Sequence, residues 1–446
     1  MQRFIIEQSE ADLTSHAGLG LIGMALNERT DLREQAKAAA PARSDAIAHG
    51  DILSSYIGLL CLGKSDFEAV NGMREDDYFA ASLGLKQVPS EGTLRQRMDA
   101  HALAFTPVVQ EATVEFLKRV DARITALDNG LVPLDGDVSP FDNSGTKKEG
   151  VSFTYKKMDG YAPMAAYLGQ EGYCLELQLR EGKQHCQKGT PEFLGRNLQR
   201  ACQLTDKPIL LRLDSGNDAI ENIEVVCEHN EHHPQNSPVH YLIKWNPRQE
   251  DPQRWLAYAE KHGDWSEPRP GKHVALFTLE ETRQHNGHDY PLRRVMRVTE
   301  REIDKHGQPL LFSDIEIEGW WTSLYGEEEE IIRLYADHAT SEQYHSEFKT
   351  DLDIERLPSG KFATNALVLA CAQLAYNILR WIGQNGLLGP DAPPRHKAKR
   401  RRIRTVMQEL MYLAARLVRT GRRLKLAFGR GCLAVPIFQR LYLQLA

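Results

Sequence analysis

The stretch KPILLRLDSGNDA, from Lys207 to Ala219, contains an apolar run that ends at an acidic residue. The run from Ile209 to Leu211 is unbroken, which is typical of a strand covered on both faces of a parallel sheet. Asp214 follows where the strand ends, next to Ser215 and Gly216. Because ligands bind beyond the carboxyl ends of such strands, the stretch predicts an α/β fold with Asp214 in a functional site.

The segments on either side extend this α/β pattern. ALDNGLVPLDGDVSPFD, residues 126–142, alternates as a strand and places Asp135 and Asp137 together on one face. Residues 249–323 carry strand patterns with no clear helix after PQRWLAYAEKH, which predicts a mostly β insertion. The predicted organisation, α+β overall, is a helical region at 1–125, an α/β core at 126–248, the β insertion at 249–323, the second part of the core at 324–390 and a basic C-terminal region at 391–446.

The charge of the chain is unevenly distributed. Residues 391–446 carry 14 Lys and Arg against two acids, a net charge of +12, while the rest of the chain carries −18. The basic residues concentrate in RHKAKRRRIR, Arg395 to Arg404, and such a block is expected where a protein binds a polyanion. We therefore predict that Arg400, Arg401 and Arg402 contact DNA phosphates. The alternative is a solvated, loosely ordered segment.

The N-terminal 125 residues offer a second DNA-binding hypothesis. EDDYFAASLG is followed by VPSEGTLRQRMDAH, in which Ser90 is a predicted helix N-cap. The pair has the pattern of a helix-turn-helix that directs Arg95 and Arg97 at DNA. A plain helical bundle fits the same pattern equally well.

Cysteine usage and hydropathy indicate the compartment. The seven cysteines are scattered and none forms a CxxC pair, which favours reduced thiols in a cytoplasmic protein. The start, MQRFIIEQSEADLTSHAG, has no long apolar segment of the kind found in signal peptides. ALVLACAQLAYNIL, from Ala366, is shorter than a membrane span and predicts a buried helix. We expect a cytoplasmic protein with no membrane partner.

The late stretch YADHATSEQYHSEFKTDL, Tyr335 to Leu352, has a helical pattern. At 100° per residue, Tyr335, His338, Glu342 and Lys349 fall within an arc of about 60°. Glu347 points to another face, which predicts an exposed glutamate that tolerates substitution. An amphipathic helix with chance polar neighbours would give the same pattern.

The spacing of these residues resembles the Y-(2)-R-(3)-E-(6)-K signature of bacterial insertion-sequence transposases of the DDE type. LDGDVS resembles the motif with the first Asp of that family, and RLDSG resembles the motif with the second. LPSGKFATNALVLACAQLAYNILRW resembles the segment after the Glu helix, so the resemblance covers roughly residues 125–430. His338 departs from the signature, which has Arg at this place, and a shorter, partly protonated side chain weakens a phosphate contact.

The resemblance implies a ribonuclease H-like core interrupted by the β insertion. It implies that Asp137, Asp214 and Glu342 are catalytic and bind Mg²⁺, for which Mn²⁺ substitutes; Asp135 is the alternative to Asp137. Three such acids can hold two metal ions that stabilise the attacking and leaving oxygens of a phosphodiester.

The resemblance also implies the DNA contacts and the reaction. Tyr335, Lys349 and the weakened His338 would contact phosphates, and Trp321 or its neighbour Trp320 would stack on a flipped base. Water would cut the transposon end, and the new 3′-hydroxyl would attack target DNA within a synaptic homodimer.

Other classes of protein could use the same residues. A glycosidase-type hydrolase uses paired carboxylates, but it explains neither the basic C-terminal region nor Lys349 beside Glu342. A DNA-binding regulator, or a catalytically impaired relative of a transposase, would use only the DNA contacts. A ribonuclease H-like metal-dependent endonuclease is a further alternative.

Overall fold

The computed structural model describes residues 3–41, 47–304, 306–392, 397–421 and 423–446. The N-terminal part is mainly helical. Two of its helices begin at side-chain caps: Asp76 accepts hydrogen bonds from the N–H groups of Tyr78 and Phe79, and Ser90 accepts one from the N–H of Thr93. The elements of this part are β1 (Leu13–Thr14), α1 (Leu19–Glu28), α2 (Leu32–Ala39), α3 (His49–Leu60), α4 (Asp77–Leu83) and α5 (Glu91–Arg119).

Short strands and two helices make up the next part of the chain. The elements are β2 (Val132–Val138), β3 (Phe141–Asp142), β4 (Ser152–Phe153), β5 (Asp159–Tyr161), β6 (Met164–Leu168), β7 (Tyr173–Gln178), α6 (Thr190–Cys202), β8 (Ile209–Leu213), α7 (Ile220–His232) and β9 (Val239–Lys244).

These strands form a mixed core sheet in the order β7-β6-β2-β8-β9. β6 is antiparallel to both β2 and β7, whereas β2, β8 and β9 run parallel. Every residue of β8 is buried, as its unbroken apolar run predicts. The predicted fold class is therefore confirmed.

The predicted insertion is mostly β and extends the same sheet. β13 pairs with β9 through Trp320, Trp321 and Thr322, so the added strands continue beyond the edge of the core. Long antiparallel pairs join the inserted strands to one another. The elements are α8 (Pro252–His262), β10 (Asp264–Arg269), β11 (Lys272–His285), β12 (His288–Ile303) and β13 (Pro309–Thr322).

The last part of the chain returns to helices and adds a hairpin that the sequence did not predict. Its strand β14 pairs with β1, so the two ends of the chain meet in one small sheet. The elements are α9 (Glu328–Ala336), α10 (Ser341–Ser346), α11 (Phe362–Gly386), α12 (Ile403–Val406), β14 (Ala415–Thr420), β15 (Arg423–Phe428) and α13 (Val435–Leu445).

Helix α11 is the predicted buried helix. It packs against α5 and β7. Among the described residues it is the one helix long and apolar enough to span a membrane, yet 83% of its most apolar window is buried inside the protein. Gln373 and Asn377 bind backbone groups of β7, which satisfies their polar atoms in the core.

The segment predicted as one helix from Tyr335 is in fact irregular. α9 ends at Ala336, a 3₁₀ turn covers Asp337–Thr340, and α10 is followed by a π-helical turn at Glu347–Asp351. Each change of helix type alters the rotation per residue, so a constant 100° is only an approximation along this segment.

Candidate active site

Three acids lie around one cavity at the carboxyl edge of the core sheet. β2 and β8 are parallel neighbours in which Gly136 pairs with Leu213, so Asp137 and Asp214 follow at the same edge. Glu342 approaches from α10. All three line a cavity of about 610 Å³. The structure therefore brings together the three acids that the sequence singled out.

Asp137 is held by two residues of α10. Ser341 Oγ donates to Asp137 Oδ2 (3.0 Å), and His345 Nε2 donates to the same oxygen (3.2 Å). Burial raises the pKa of this carboxyl, but the hydrogen bond and charge of His345, with smaller contributions from His338 and Ser341, outweigh burial and lower the pKa overall. Asp137 is therefore kept as a carboxylate.

Asp214 is in a different electrostatic environment. Burial and then the negative charge of Asp137 raise the pKa of its carboxyl. Its hydrogen-bond donor is an amide, Asn217 Nδ2, which lies 2.7 Å from Asp214 Oδ1. Within the described residues, neither Asp214 nor Glu342 forms an ion pair with Lys, Arg or His. These two acids face the cavity without a positively charged partner.

Asp135, the alternative first acid, is committed to a buried ion pair. Arg212 donates from Nε to Oδ1 (2.6 Å) and from Nη2 to Oδ2 (2.8 Å). His338 Nδ1 donates to Oδ1 (3.0 Å). The described residues that line the cavity do not include Asp135. This geometry favours Asp137 as the acid available to a ligand.

The four residues of the spaced signature all line the acid cavity. Lys349 Nζ donates to the carbonyl of Pro140 (2.6 Å), and burial lowers the pKa of its ammonium. Tyr335 is half-buried beside the acids. His338 is buried and bonded to Asp135, which contradicts the expectation that it contacts a phosphate. Burial lowers its pKa, but Asp135 and Asp137 outweigh burial and raise it overall.

The structure also contradicts the predicted contact between Trp321 and a flipped base. Its exposed fraction is 0% and that of Trp320 is 2%, so neither indole offers a free face to a base. Trp321 Nε1 donates to Asp218 (2.9 Å), and its ring lies under the guanidinium groups of Arg283 and Arg294. These contacts make Trp321 part of the packing between the core and the insertion.

Glu347 is buried, contrary to the prediction of an exposed glutamate. It forms an ion pair with Arg380 of α11, and Arg380 is also buried. Burial opposes the charge of this guanidinium, but Glu347 outweighs burial and raises the pKa of Arg380. Removing the glutamate charge would leave Arg380 buried and unpaired.

The basic segment divides into exposed and buried residues. Lys399, Arg400 and Arg402 line a groove of about 540 Å³ that shares Glu342 with the acid cavity. Arg401 is buried and donates from Nε to the carbonyl of Leu387 (2.7 Å), which corrects its prediction as a phosphate contact. Arg395, the first residue of the predicted basic block, lies outside the described residues.

Residues that the sequence analysis missed complete the site. Ser341 and His345 orient Asp137, and Tyr155 lines the cavity opposite α10. The spacing offers one signal, since His345 lies three residues after Glu342 and neighbours it on the helix surface. Nothing in the sequence alone connects Tyr155 with the acids.

The chemistry of the donors suits a divalent cation, but their spacing in this structure does not form a complete metal site. Carboxylate oxygens are the ligands that Mg²⁺ prefers, and Asp137, Asp214 and Glu342 supply them around the cavity. Within the described part of the chain, no three His, Cys, Asp or Glu side chains lie close enough together to hold a metal ion. All seven cysteines are free thiols.

Comparison with known proteins places this geometry in context. The family model described as transposase DDE domain group 1 matches residues 5–446. Among solved structures, the chain is similar to the cryo-EM structure of a piggyBac transposase synaptic complex with hairpin DNA. The two are 10% identical with a TM-score of 0.41, and the match covers 97% of this chain and 84% of that chain. This structural similarity is too low to support an argument. No curated protein matches the chain.

Proposed function

We propose a reaction for this chain, which belongs to the family of transposases with a group 1 DDE domain. The proposed activity is metal-dependent cutting of transposon ends and their joining to target DNA. The observation that carries the proposal is the convergence of Asp137, Asp214 and Glu342 on one cavity. These acids come from two strand ends and a distant helix, the arrangement that the resemblance implies.

The three acids would hold divalent cations, which we take to be Mg²⁺ with Mn²⁺ as a substitute. Bound ions would stabilise the charge on the attacking and leaving oxygens of the phosphodiester. The protein contributes by fixing its carboxylates: Ser341 and His345 both donate to Asp137 and hold its orientation. Precise orientation of the acids matters because misplaced ligands lose the reacting geometry.

The groove beside Glu342 supports the assignment of DNA as partner. Lys399 and Arg402 are exposed and Arg400 is partly exposed along its wall. Because this groove and the acid cavity share Glu342 and Ser346, a DNA backbone in the groove would lead to the acids. We assign the phosphate contacts to Lys399 and Arg400, with Tyr335 and Lys349 next to the scissile phosphate. Arg402, which was also predicted to contact phosphate, forms an ion pair with the buried Asp351 instead.

The finer parts of the proposal follow the resemblance. We propose a bacterial insertion-sequence transposase, cytoplasmic, that acts as a homodimer on terminal repeats and target DNA. His338, which stands where the signature has Arg, contacts the buried Asp135 and does not lie at a free phosphate site. The substitution is therefore compatible with an active enzyme.

Cleavage of the DNA that flanks the gene tests this function. The purified protein should nick that DNA in Mg²⁺ or Mn²⁺ and not in the presence of a chelator. Asp214→Asn should abolish nicking, because it removes a carboxylate from the cavity. The matched control is Glu329→Gln, an exposed glutamate of α9 outside the cavity. A folded parent protein that binds this DNA but does not nick it with either metal would contradict the proposal.

A further inference from the structure

A short hairpin lies at the mouth of the acid cavity. The aromatic hairpin, residues 152–161, consists of β4 and β5 with the turn between them. Two backbone hydrogen bonds close the turn: the N–H of Thr154 donates to Met158 O (2.9 Å), and the N–H of Lys157 donates to Thr154 O (3.0 Å). Lys157 has a positive φ of 61°, as tight turns require. The hairpin therefore has a defined conformation beside the cavity.

Two aromatic side chains of this hairpin are exposed to solvent. Phe153 is 61% exposed and Tyr155 is 64% exposed, while Thr154 between them is buried. Phe153 ends β4 and Tyr155 lies in the turn that follows, so one short hairpin carries both exposed rings. Two large exposed rings on one hairpin beside the acid cavity form a candidate surface for a ligand.

The hydroxyl of Tyr155 anchors its ring beside the acids. It donates to the carbonyl of Val138 (3.0 Å), the residue that follows Asp137. Tyr155 lines the same cavity as Asp137, Asp214 and Glu342. The anchor holds the ring in place before any ligand arrives.

Positive charge accompanies the rings. Lys156 is exposed in the turn and lines the acid cavity together with Tyr155. Lys349 lines the same cavity, and the charge of Lys156 contributes to lowering its pKa. Exposed rings beside lysines are the combination that binds unpaired nucleotides, because every base has a face for stacking and every phosphate a charge.

We propose that Phe153 and Tyr155 form a stacking platform for unpaired bases of a DNA end, and that Lys156 contacts the adjoining phosphate. The bases must be unpaired because those inside a duplex cannot stack on a side chain outside it. This inference rests on the proposed function in that it assigns the DNA end of the same site.

Binding measured without catalysis tests the platform. The probes are a blunt duplex and the same duplex with a few unpaired nucleotides at one 3′ end, one of them 2-aminopurine. With Ca²⁺ in place of Mg²⁺, the parent protein should bind the tailed duplex more tightly and change the 2-aminopurine fluorescence. Tyr155→Leu should reduce affinity for the tailed duplex by about 5- to 100-fold, with little effect on the blunt duplex. Tyr155→Trp should retain the preference.

The control is another exposed tyrosine whose hydroxyl also donates to a backbone carbonyl. Tyr412 is 46% exposed, and its hydroxyl donates to the carbonyl of Leu62 (2.8 Å), away from the acid cavity. Tyr412→Leu should leave the preference for the tailed duplex unchanged. If Tyr155→Leu does not fold, Phe153→Ser removes the other ring from an exposed position and should also reduce the preference.

The outcomes separate this inference from the function. A parent protein without preference for the tailed duplex, or a folded Tyr155→Leu that keeps it, overturns the platform even if metal-dependent nicking is found. Equal losses for Tyr155→Leu and Tyr412→Leu overturn it too, since they indicate general destabilisation. A preference that depends on Tyr155 in a protein without nicking activity supports the platform and contradicts the proposed function alone.

Discussion

Asp135 and Asp137 stand two residues apart on one strand, and their surroundings differ in kind. Asp135 is enclosed by Arg212 and His338, whereas Asp137 lines a cavity. The same contrast recurs on the irregular helical segment, where Glu342 faces the cavity and Glu347 is buried against Arg380. We call Asp137, Asp214 and Glu342 the cavity acids, and Asp135 and Glu347 the paired acids.

The contrast shows that acids close together in the sequence can have different roles, one in binding a ligand and the other in stabilising the fold. A buried carboxylate needs a positively charged partner. Where that partner is an arginine, it balances the charge of the carboxylate and occupies its hydrogen-bond acceptors. The paired acids therefore have little left for a ligand. The cavity acids have no arginine partner among the described residues, so their charge is available to a ligand.

Asp137→Asn should greatly reduce activity. Loss of a cavity carboxylate removes several kcal/mol of transition-state stabilisation, which corresponds to a nicking rate lower by about 10³-fold. The protein should still unfold cooperatively, since Asn can accept the hydrogen bond from Ser341. Nicking rates and urea unfolding measure both properties. A variant that nicks at the parent rate would remove Asp137 from the cavity acids.

Asp135→Asn should affect stability instead. It leaves Arg212 buried without a countercharge, so the free energy of unfolding should fall by about 3–5 kcal/mol. Replacing Arg212 by Met in the same variant should recover part of the loss, because the unpaired charge is then absent. Urea unfolding of the three proteins checks this. Asp135→Asn with full stability and no nicking would instead identify Asp135 as the first catalytic acid.

The groove gives the smallest of these effects. Lys399→Gln with Arg400→Gln should reduce the slope of log affinity against log salt by about two, since each phosphate contact contributes about 0.9. Arg419→Gln is the control, because Arg419 belongs to the same basic region but pairs with Asp77 on α4. Titrations of duplex DNA at several salt concentrations measure the slopes. Equal slopes for all three proteins would leave the groove without a phosphate role.

The sequence predicts those features that depend on local pattern. The unbroken run before Asp214 predicts a central strand, and the change of period after residue 249 predicts the β insertion. Both are present in the structure. The spaced residues from Tyr335 to Lys349 do line one cavity, although the helix between them is irregular.

Features that depend on distant partners were beyond the sequence. Arg212 and Arg380 come from other elements, so nothing near Asp135 or Glu347 reveals that each is paired. Glu347 does lie outside the acid cavity, but the prediction of exposure assumed that its face meets solvent, whereas that face packs against Arg380 of α11. The burial of Trp321 and Arg401 depends in the same way on packing between segments that are far apart in the chain.

Glu342→Gln and Glu347→Gln, measured side by side, test the division between cavity acids and paired acids most directly. Each protein is assayed for metal-dependent nicking and for its free energy of unfolding. We expect Glu342→Gln to lose nicking while its stability stays within about 0.5 kcal/mol of the parent. We expect Glu347→Gln to lose about 3 kcal/mol of stability and, where it is folded, to nick at a rate near that of the parent. Loss of nicking in a fully stable Glu347→Gln, together with normal nicking in Glu342→Gln, would contradict the account.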